Sequence, residues 1–391
     1  MLGIINARIE TISNGFFDNG KIIIENGKIK EIGKDIKLPA KIDKLIDAQN
    51  RIVTPGLIEA HSHLGISEIG TGPMGNDTNE TSNPITPWCN ALDGINMKDK
   101  AFTYFRKAGI TSVNVLPGSA NIIGGKSTAI KCKNSIVDKA IIKKETGMKA
   151  ALGENPKTLY GDKKKSPASR MGNASLLRNA LSKAKNYLEK SKNMDNNDQL
   201  QFDKESESLI PVIKKEIPLR IHCHRADDII TAIRIAEEFD IKYTLEHITQ
   251  GHQIIDFLKD KNTYNAIGPS MHYGSKVENK DRNFKTPIMA AKNNIHFCLT
   301  TDHPVVAGHY LPMTAALAVN WGMERKTALK AITINAAEHI GISDKVGSLK
   351  VGKDADLVIW SGDPLEFSTF ADITIIDGEI VFQRRKNDAI N

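Results

Sequence analysis

The sequence is poor in cysteine, poor in aromatic residues and free of long apolar runs, and each shortage removes a class of protein. Its four cysteines, Cys89, Cys132, Cys223 and Cys298, form no CxxC pair and no regular framework. A chain of 391 residues buries enough apolar surface to fold without disulfides, so reduced thiols and a cytoplasmic location are expected. No apolar stretch approaches the ~20 residues of a membrane-spanning helix. Residues 1–10 mix acidic and basic groups, where a secretory leader would carry a basic start and a long apolar core. Aromatics make up 6% and do not interleave with basic residues as a single-strand stacking platform requires. The net charge is +7, yet the lysines are scattered and the densest patch is Lys163-Lys164-Lys165, which reads as solvated surface. The expected partner is a small-molecule substrate, with no nucleic acid and no membrane; a homo-oligomer is left open.

What is present describes an ordinary globular enzyme-sized chain, 40% hydrophobic and 25% charged. The first fifty residues alternate short apolar runs with turn signals, and 2–9, 20–25 and 28–32 read as strands. Asn26-Gly27 is a type I′ hairpin signal between the last two. From Arg51 the pattern changes to short β-rich runs alternating with helical stretches. After a strand leading into His61, strands are predicted at 111–116, 127–132, 148–153, 219–223, 243–247, 265–268 and 296–301. Helices are predicted at 97–107, 173–192 and 228–238; in the last, Ile229, Ile230, Ile233, Ile235 and Ala236 recur near helical spacing. Repeated β-then-α units argue for a parallel sheet, and eight strands suffice to close a TIM-type (β/α)8 barrel. After Thr333 short β-segments return at 347–351, 356–360 and 373–383, with a second hairpin signal at Asp377-Gly378. The expected fold class is therefore α/β: a barrel over 54–340 and a small composite β-sandwich from 1–53 and 341–391. The barrel carries an insertion at about 155–217, holding the lysine patch, one good helix and the polar run Asn193-Met194-Asp195-Asn196-Asn197-Asp198. We read it as lying over the barrel mouth and partly mobile.

The residues able to do chemistry sit at the ends of these strands. His61-Ser62-His63 follows the first barrel strand, and residues two apart on a strand point the same way, so both imidazoles can face one metal ion. His222-Cys223-His224 repeats the spacing after a later strand; His247 ends another, and Asp302 follows the last. All lie where barrel catalysts are found. Glu154, after 148–153, is either a metal-ligating carboxylate or a loop glutamate pairing with Lys157. The stretch Gly118–Ser127 ends Gly-Lys-Ser like a phosphate loop, but Ala120 occupies a position the motif reserves for glycine, so a substrate-facing barrel loop is the better reading.

In the order HxH, carboxylate, His, His, Asp on successive strands, the sequence resembles the amidohydrolase superfamily. Thr54-Pro55-Gly56-Leu57-Ile58-Glu59-Ala60-His61-Ser62-His63 looks like its first-strand motif. Gly347-Ser348-Leu349-Lys350-Val351-Gly352-Lys353-Asp354-Ala355-Asp356-Leu357-Val358, with Thr333-Ile334-Asn335-Ala336-Ala337 before it, looks like its C-terminal signature. A closer resemblance, to the imidazolonepropionase-like amidohydrolases, rests on Gly153-Glu154-Asn155-Pro156-Lys157 with Arg170-Met171-Gly172, and on His222-Cys223-His224-Arg225-Ala226-Asp227-Asp228. The resemblance implies His61, His63, His222 and His247 as metal ligands, with Glu154 near the place where many binuclear relatives carry a carboxylated lysine on the fourth strand. It implies Asp302 as both metal contact and general base; His224, Arg225 and Arg170 are candidate substrate-binding residues. The implied cofactor is one or two divalent ions: zinc first, iron or manganese as alternatives.

The expected chemistry is hydrolysis of an amide, cyclic amide or peptide-like C–N bond by a metal-activated water. Asp302 would take the water proton and return it to the leaving nitrogen. His272 or His303 could help hold the carbonyl oxygen; both read equally well as residues lining the mouth. Deamination of a heterocycle is the rival, weakened because Arg225 stands three residues after the fifth-strand histidine, where nucleobase deaminases usually carry glutamate. A metal-free scaffold is the remaining alternative.

Overall fold

A computed structural model describes residues 1–193 and 201–385, so residues 194–198 of the polar run lie outside the described residues. The chain starts with strands β1 (Leu2–Glu10), β2 (Phe16–Glu25), β3 (Lys28–Gly33), β4 (Lys44–Asp47) and β5 (Ile52–Pro55). Its end returns to them with β14 (Leu357–Trp360), β15 (Ala371–Ile376) and β16 (Glu379–Gln383). Together they form one eight-stranded sheet in the order β16-β15-β14-β5-β1-β2-β3, with β4 also on β1. It wraps round an aliphatic core that includes Ile4, Ile9, Ile22, Ile24, Val53, Leu357, Ile359 and Ile375. The composite satellite is thus as expected, with β5 carrying it to Pro55. Both hairpin signals hold: Asn26 and Gly27, and Asp377 and Gly378, have positive φ, which lets a two-residue turn follow the strand twist. The predicted strand at 347–351 is not one; Gly347 and Gly352 both turn with positive φ there.

The barrel sheet runs β6 (Leu57–Ser62), β7 (Ile110–Val115), β8 (Ile123–Lys131), β9 (Ile141–Ala151), β10 (Leu219–Cys223), β11 (Tyr243–His247), β12 (Tyr264–Ile267) and β13 (Phe297–Leu299). A bridge between Ser62 and His303 brings its last element back to its first. All eight strands were anticipated, but not all their directions. β8 runs antiparallel to both neighbours. The reason is loop length: a parallel crossover needs about a dozen residues or more, and the connections on either side of β8 are shorter. The other seven strands are parallel and present their C-terminal ends on one face.

The described residues of 154–217 are largely helical: α2 (Glu154–Asp162), α3 (Arg170–Lys192) and α4 (Lys204–Ile213), after α1 (Ala101–Lys107) between β6 and β7. α3 buries Leu177, Leu181, Ala184 and Leu188 at helical spacing, so it packs as a barrel helix beside α4. Asn155-Pro156 does not end a strand; β9 stops at Ala151, and Pro156 sits in the first turn of α2, where its missing N–H costs nothing. α5 (Ala226–Glu238) follows β10, α6 (Ile255–Lys259) follows β11 and α7 (Lys285–Lys292) follows β12. α8 (Leu311–Asn320), α9 (Arg325–Ala331) and α10 (Ile334–Ile340) follow β13. No helix among the described residues is long and apolar enough to cross a membrane.

Gly56 alone joins satellite to barrel between β5 and β6. A Cβ there would fall 2.1 Å from Thr111 Oγ1, so only glycine lets β6 lie against β7 at this point.

Candidate metal centre

Strand alternation explains the first part of the site. Glu59, His61 and the residue after β6, His63, share one parity and face into the barrel. His63 Nδ1 lies 2.7 Å from the Leu116 carbonyl, so it carries the proton and Nε2 keeps its lone pair. That Nε2 is 3.4 Å from Asp302 Oδ1, and His61 Nε2 is 3.6 Å from the same oxygen.

His247 joins them against alternation, which would send neighbouring Glu246 and His247 to opposite faces. The chain is left-handed at His247 (φ 74°), a strained conformation that turns its ring to within 4.6 Å of the His61 ring while Glu246 Oε2 holds His61 Nδ1 at 2.8 Å. His247 Nδ1 is 2.7 Å from the Gly268 carbonyl, which again leaves Nε2 free. Asp302 is left-handed too (φ 53°). Its turn is pinned by Glu59, which accepts bonds from Thr300 Oγ1 and from Thr301 N at 2.9 Å and Oγ1 at 2.6 Å. Burial pushes the Glu59 carboxyl up to about 7 in spite of those donors. Ligating atoms of His61, His247 and Asp302 all lie within 4.8 Å of one another.

His222, one residue before the end of β10, has its ring 4.6 Å from that of His247, and both of its ring nitrogens are buried without a hydrogen-bond partner. His224 stacks on His247 at 4.9 Å and bonds Thr249 Oγ1 through Nδ1. Burial, then Lys149, depresses the His61 pKa to about 4 and holds His222 well below its usual value, so both rings stay neutral at pH 7. Burial works against the Asp302 carboxylate, but the surrounding imidazoles, His247 foremost, outweigh it and keep it ionised. An orphaned buried imidazole costs about 1–3 kcal/mol. Imidazoles gathered round the Asp302 carboxylate, with the unpartnered His222 ring beside them, are a donor set that a divalent cation fits, and nitrogen with oxygen suits zinc, iron or manganese.

Four residues here were not foreseen. Lys149 lies on β9, the fourth barrel strand, wholly buried, with Nζ 3.3 Å from His61 Nε2. It stands where Glu154 was expected to supply an anionic ligand. Burial lowers its pKa to about 8, so its amine is partly neutral near pH 7. Its signal was a lone lysine inside the apolar run Met148-Lys149-Ala150-Ala151-Leu152. Glu246, beneath His61, also meets His339 Nε2 at 3.1 Å and Arg220 Nη1 at 3.5 Å. Glu278 and Arg282 come from the loop after β12. Glu278 is fully buried, groups with His222 and His224, and exchanges bonds with Glu154: Glu154 N to Glu278 Oε2 at 2.6 Å, Glu278 N to Glu154 Oε2 at 3.1 Å. Glu154 is therefore tied to that loop and not to Lys157.

Of the remaining candidates, His303 borders the cluster, its carbonyl accepting from His63 N at 2.8 Å and its Nε2 buried without a partner, while the others are engaged elsewhere. His303 accepts from Gly308 N at 3.1 Å and sets its ring edge-on to Phe105 at 5.3 Å. His272 is exposed, with Nδ1 2.5 Å from the Tyr273 carbonyl. Arg225 pairs with Asp227 at 2.8 Å and Arg170 with Asp228 at 3.0 Å. In the Gly118–Ser127 stretch, Ser119 accepts from Asn155 Nδ2 at 2.7 Å and Ala120 N donates to Asn79, so the loop is packed against its neighbours.

A family model described as the amidohydrolase family matches residues 52–381. The chain belongs to the amidohydrolase family. Over 98% of its length, it superposes on all of an amidohydrolase from Thermotoga maritima with a TM-score of 0.95 and 38% identity. It is 29% identical to the amidohydrolase tasK of Hapsidospora irregularis over 93% of this chain, which spans only 40% of that longer protein. It is 22% identical to an imidazolonepropionase of Thermoplasma volcanium, over 95% of this chain and 92% of the relative. The histidines of the cluster lie at or just after the C-terminal ends of β6, β10 and β11.

Proposed function

We propose that this amidohydrolase is metal-dependent and hydrolyses a C–N amide, cyclic amide or peptide-like bond. The observation that carries the reading is the meeting of His61, His63 and His247 at Asp302, beside buried His222, whose ring nitrogens are unpartnered. His61, His63, Lys149 and Asp302 would hold one divalent ion, and His222 with His247 would hold a second if two bind. When bound, such an ion supplies Lewis-acid polarisation of the scissile carbonyl and a water acidic enough to lose its proton near neutrality. The protein's part is to hold and move protons. Asp302, kept ionised among imidazoles, accepts the water proton as the oxygen adds to the carbonyl carbon. It then donates that proton to the nitrogen as the C–N bond breaks. Glu246 fixes the His61 ring through Nδ1, and Glu59 fixes the turn that presents Asp302.

The test is elemental analysis of the purified protein, followed by a panel of N-acyl amino acids, dipeptides and lactams. Stoichiometric metal and metal-dependent amine release support the reading. Metal-replete preparations that contain no bound metal overturn it, and ammonia released from an aminated heterocycle, with no amide cleaved, would make the protein a deaminase.

A further inference from the structure

We propose that Arg282 binds a carboxylate of the substrate, so that the amide cleaved carries a free carboxylate, as an N-acyl amino acid or a dipeptide does. This rests on the hydrolase reading and narrows its substrate class.

Arg282 belongs to the loop between β12 and α7 that also delivers Glu278 to His222 and His224. Its guanidinium is half-buried, its Nε is buried without a partner, and among the described residues it makes no ion pair. Its one side-chain hydrogen bond among the described residues runs from Nη1 to His272 Nδ1 at 3.3 Å. That contact is poor, because Nδ1 lies 2.5 Å from the Tyr273 carbonyl. A carbonyl only accepts, so Nδ1 carries the proton and has no lone pair for Arg282.

The acidic groups that could neutralise Arg282 are occupied. Glu278 Oε2 takes Glu154 N and Oε1 takes Lys276 Nζ at 3.2 Å. Asp281 Oδ2 takes Gln250 Nε2 at 2.8 Å, and Asp302 lies among the histidines. Arg282 N donates to the Asn279 carbonyl at 3.1 Å, one residue from Glu278, and Glu278 groups with His222 and His224, so the loop carries Arg282 to the mouth of the metal centre. A charge withdrawn from water is ordinarily paired. Here a planar, five-donor fork sits on the loop that brings Glu278 to the histidines, with no anion of the protein paired to it, and a carboxylate is the anion whose geometry it matches.

The test compares each acid with its C-terminal amide, N-acetyl amino acids and dipeptides alike, on metal-loaded wild type, Arg282→Gln and Arg282→Lys. Metal content and circular dichroism serve as folding controls. In wild type, kcat/KM should favour the acid by about 10–100-fold, mainly through KM, as for a charged hydrogen-bonded contact. Arg282→Gln should bring the acid-to-amide ratio towards one, and Arg282→Lys, which keeps charge without the fork, should retain part of it. A ratio unchanged in either variant, or an equal fall for both substrates, overturns the proposal. If Arg282→Gln does not fold, the Lys variant decides alone. If wild type cleaves no amide, the hydrolase reading fails, and calorimetric binding of N-acetylglycine against N-acetylglycinamide decides the carboxylate site separately. Arg282-dependent preference for the acid upholds it; equal binding overturns it.

Discussion

Lys131 and His222 are both buried, both nitrogen donors and both surrounded by titratable groups, yet the protein treats them in opposite ways. Lys131, on β8 at the seam between barrel and satellite, meets Asp356 at 2.7 Å, Asp354 at 3.1 Å and Asp377 at 3.2 Å. Burial opposes its charge, and the three carboxylates more than restore it, raising the pKa above that of an ordinary lysine. His222, at the mouth, meets no hydrogen-bond partner at either ring nitrogen. At the seam Lys131 is fully paired, and at the mouth His222 is left without partners. Saturation fastens two bodies together, whereas withheld partners leave coordinating capacity for something that is not protein.

The contrast is broken most severely at the seam. Lys131→Met should leave three carboxylates beside a buried gap and destabilise the fold by about 3–5 kcal/mol in urea unfolding, while the folded fraction keeps its turnover. An unchanged midpoint would mean that solvent already screens the network. At the mouth, Asp302→Asn retains the size and an oxygen donor but cannot readily take a proton. Metal content should largely survive while turnover falls ~10²-fold or more; paired metal and kinetic measurements showing near-normal rates would place the base elsewhere. Glu246→Gln sharpens the comparison further, since it alters a saturated group that serves an unsaturated one. It should weaken metal affinity about 10–100-fold by releasing the His61 ring, which competition with a chelator would read out. The smallest effect belongs to Glu154→Gln. An amide oxygen can still accept from Glu278 N, so metal stoichiometry should be retained, and loss of an equivalent of metal would restore Glu154 as a ligand.

How much of this could be read from the sequence follows from the range of each signal. His61 and His63, two apart at a strand end, are legible because strand periodicity is local, and the same holds for the Asn26-Gly27 and Asp377-Gly378 turns. The reversal of β8 was also available locally, in the short connections flanking it, but the repeating β-then-α pattern overrode it. The strand at 347–351 failed because its valine and leucine suggested β-structure while Gly347 and Gly352 turn the chain. Lys149 was hidden because a polar residue in a strand reads as facing solvent until closure of the barrel gives that face an inside. Glu246 was obscured by alternation, which the left-handed backbone at His247 suspends. Glu278 and Arg282 carry no motif at all; their place depends on how the loop after β12 folds back towards β10.

The seam between β5 and β14 also constrains the order in which the chain can become whole. Val53 pairs with Ile359, Pro55 pairs with Leu357, and the Trp360 indole donates to Thr54 Oγ1 at 2.8 Å. At ~5–20 residues per second, a ribosome needs roughly 15–60 s to travel from one side of that seam to the other. Throughout that interval β5 offers an unpaired edge of the kind that recruits foreign strands. The entire barrel emerges in the meantime, its first strand tethered through Gly56 to a half-built sheet. β14, made long after β5, thus acts as a clasp, and a nascent chain that lacks it carries an open edge directly upstream of His61.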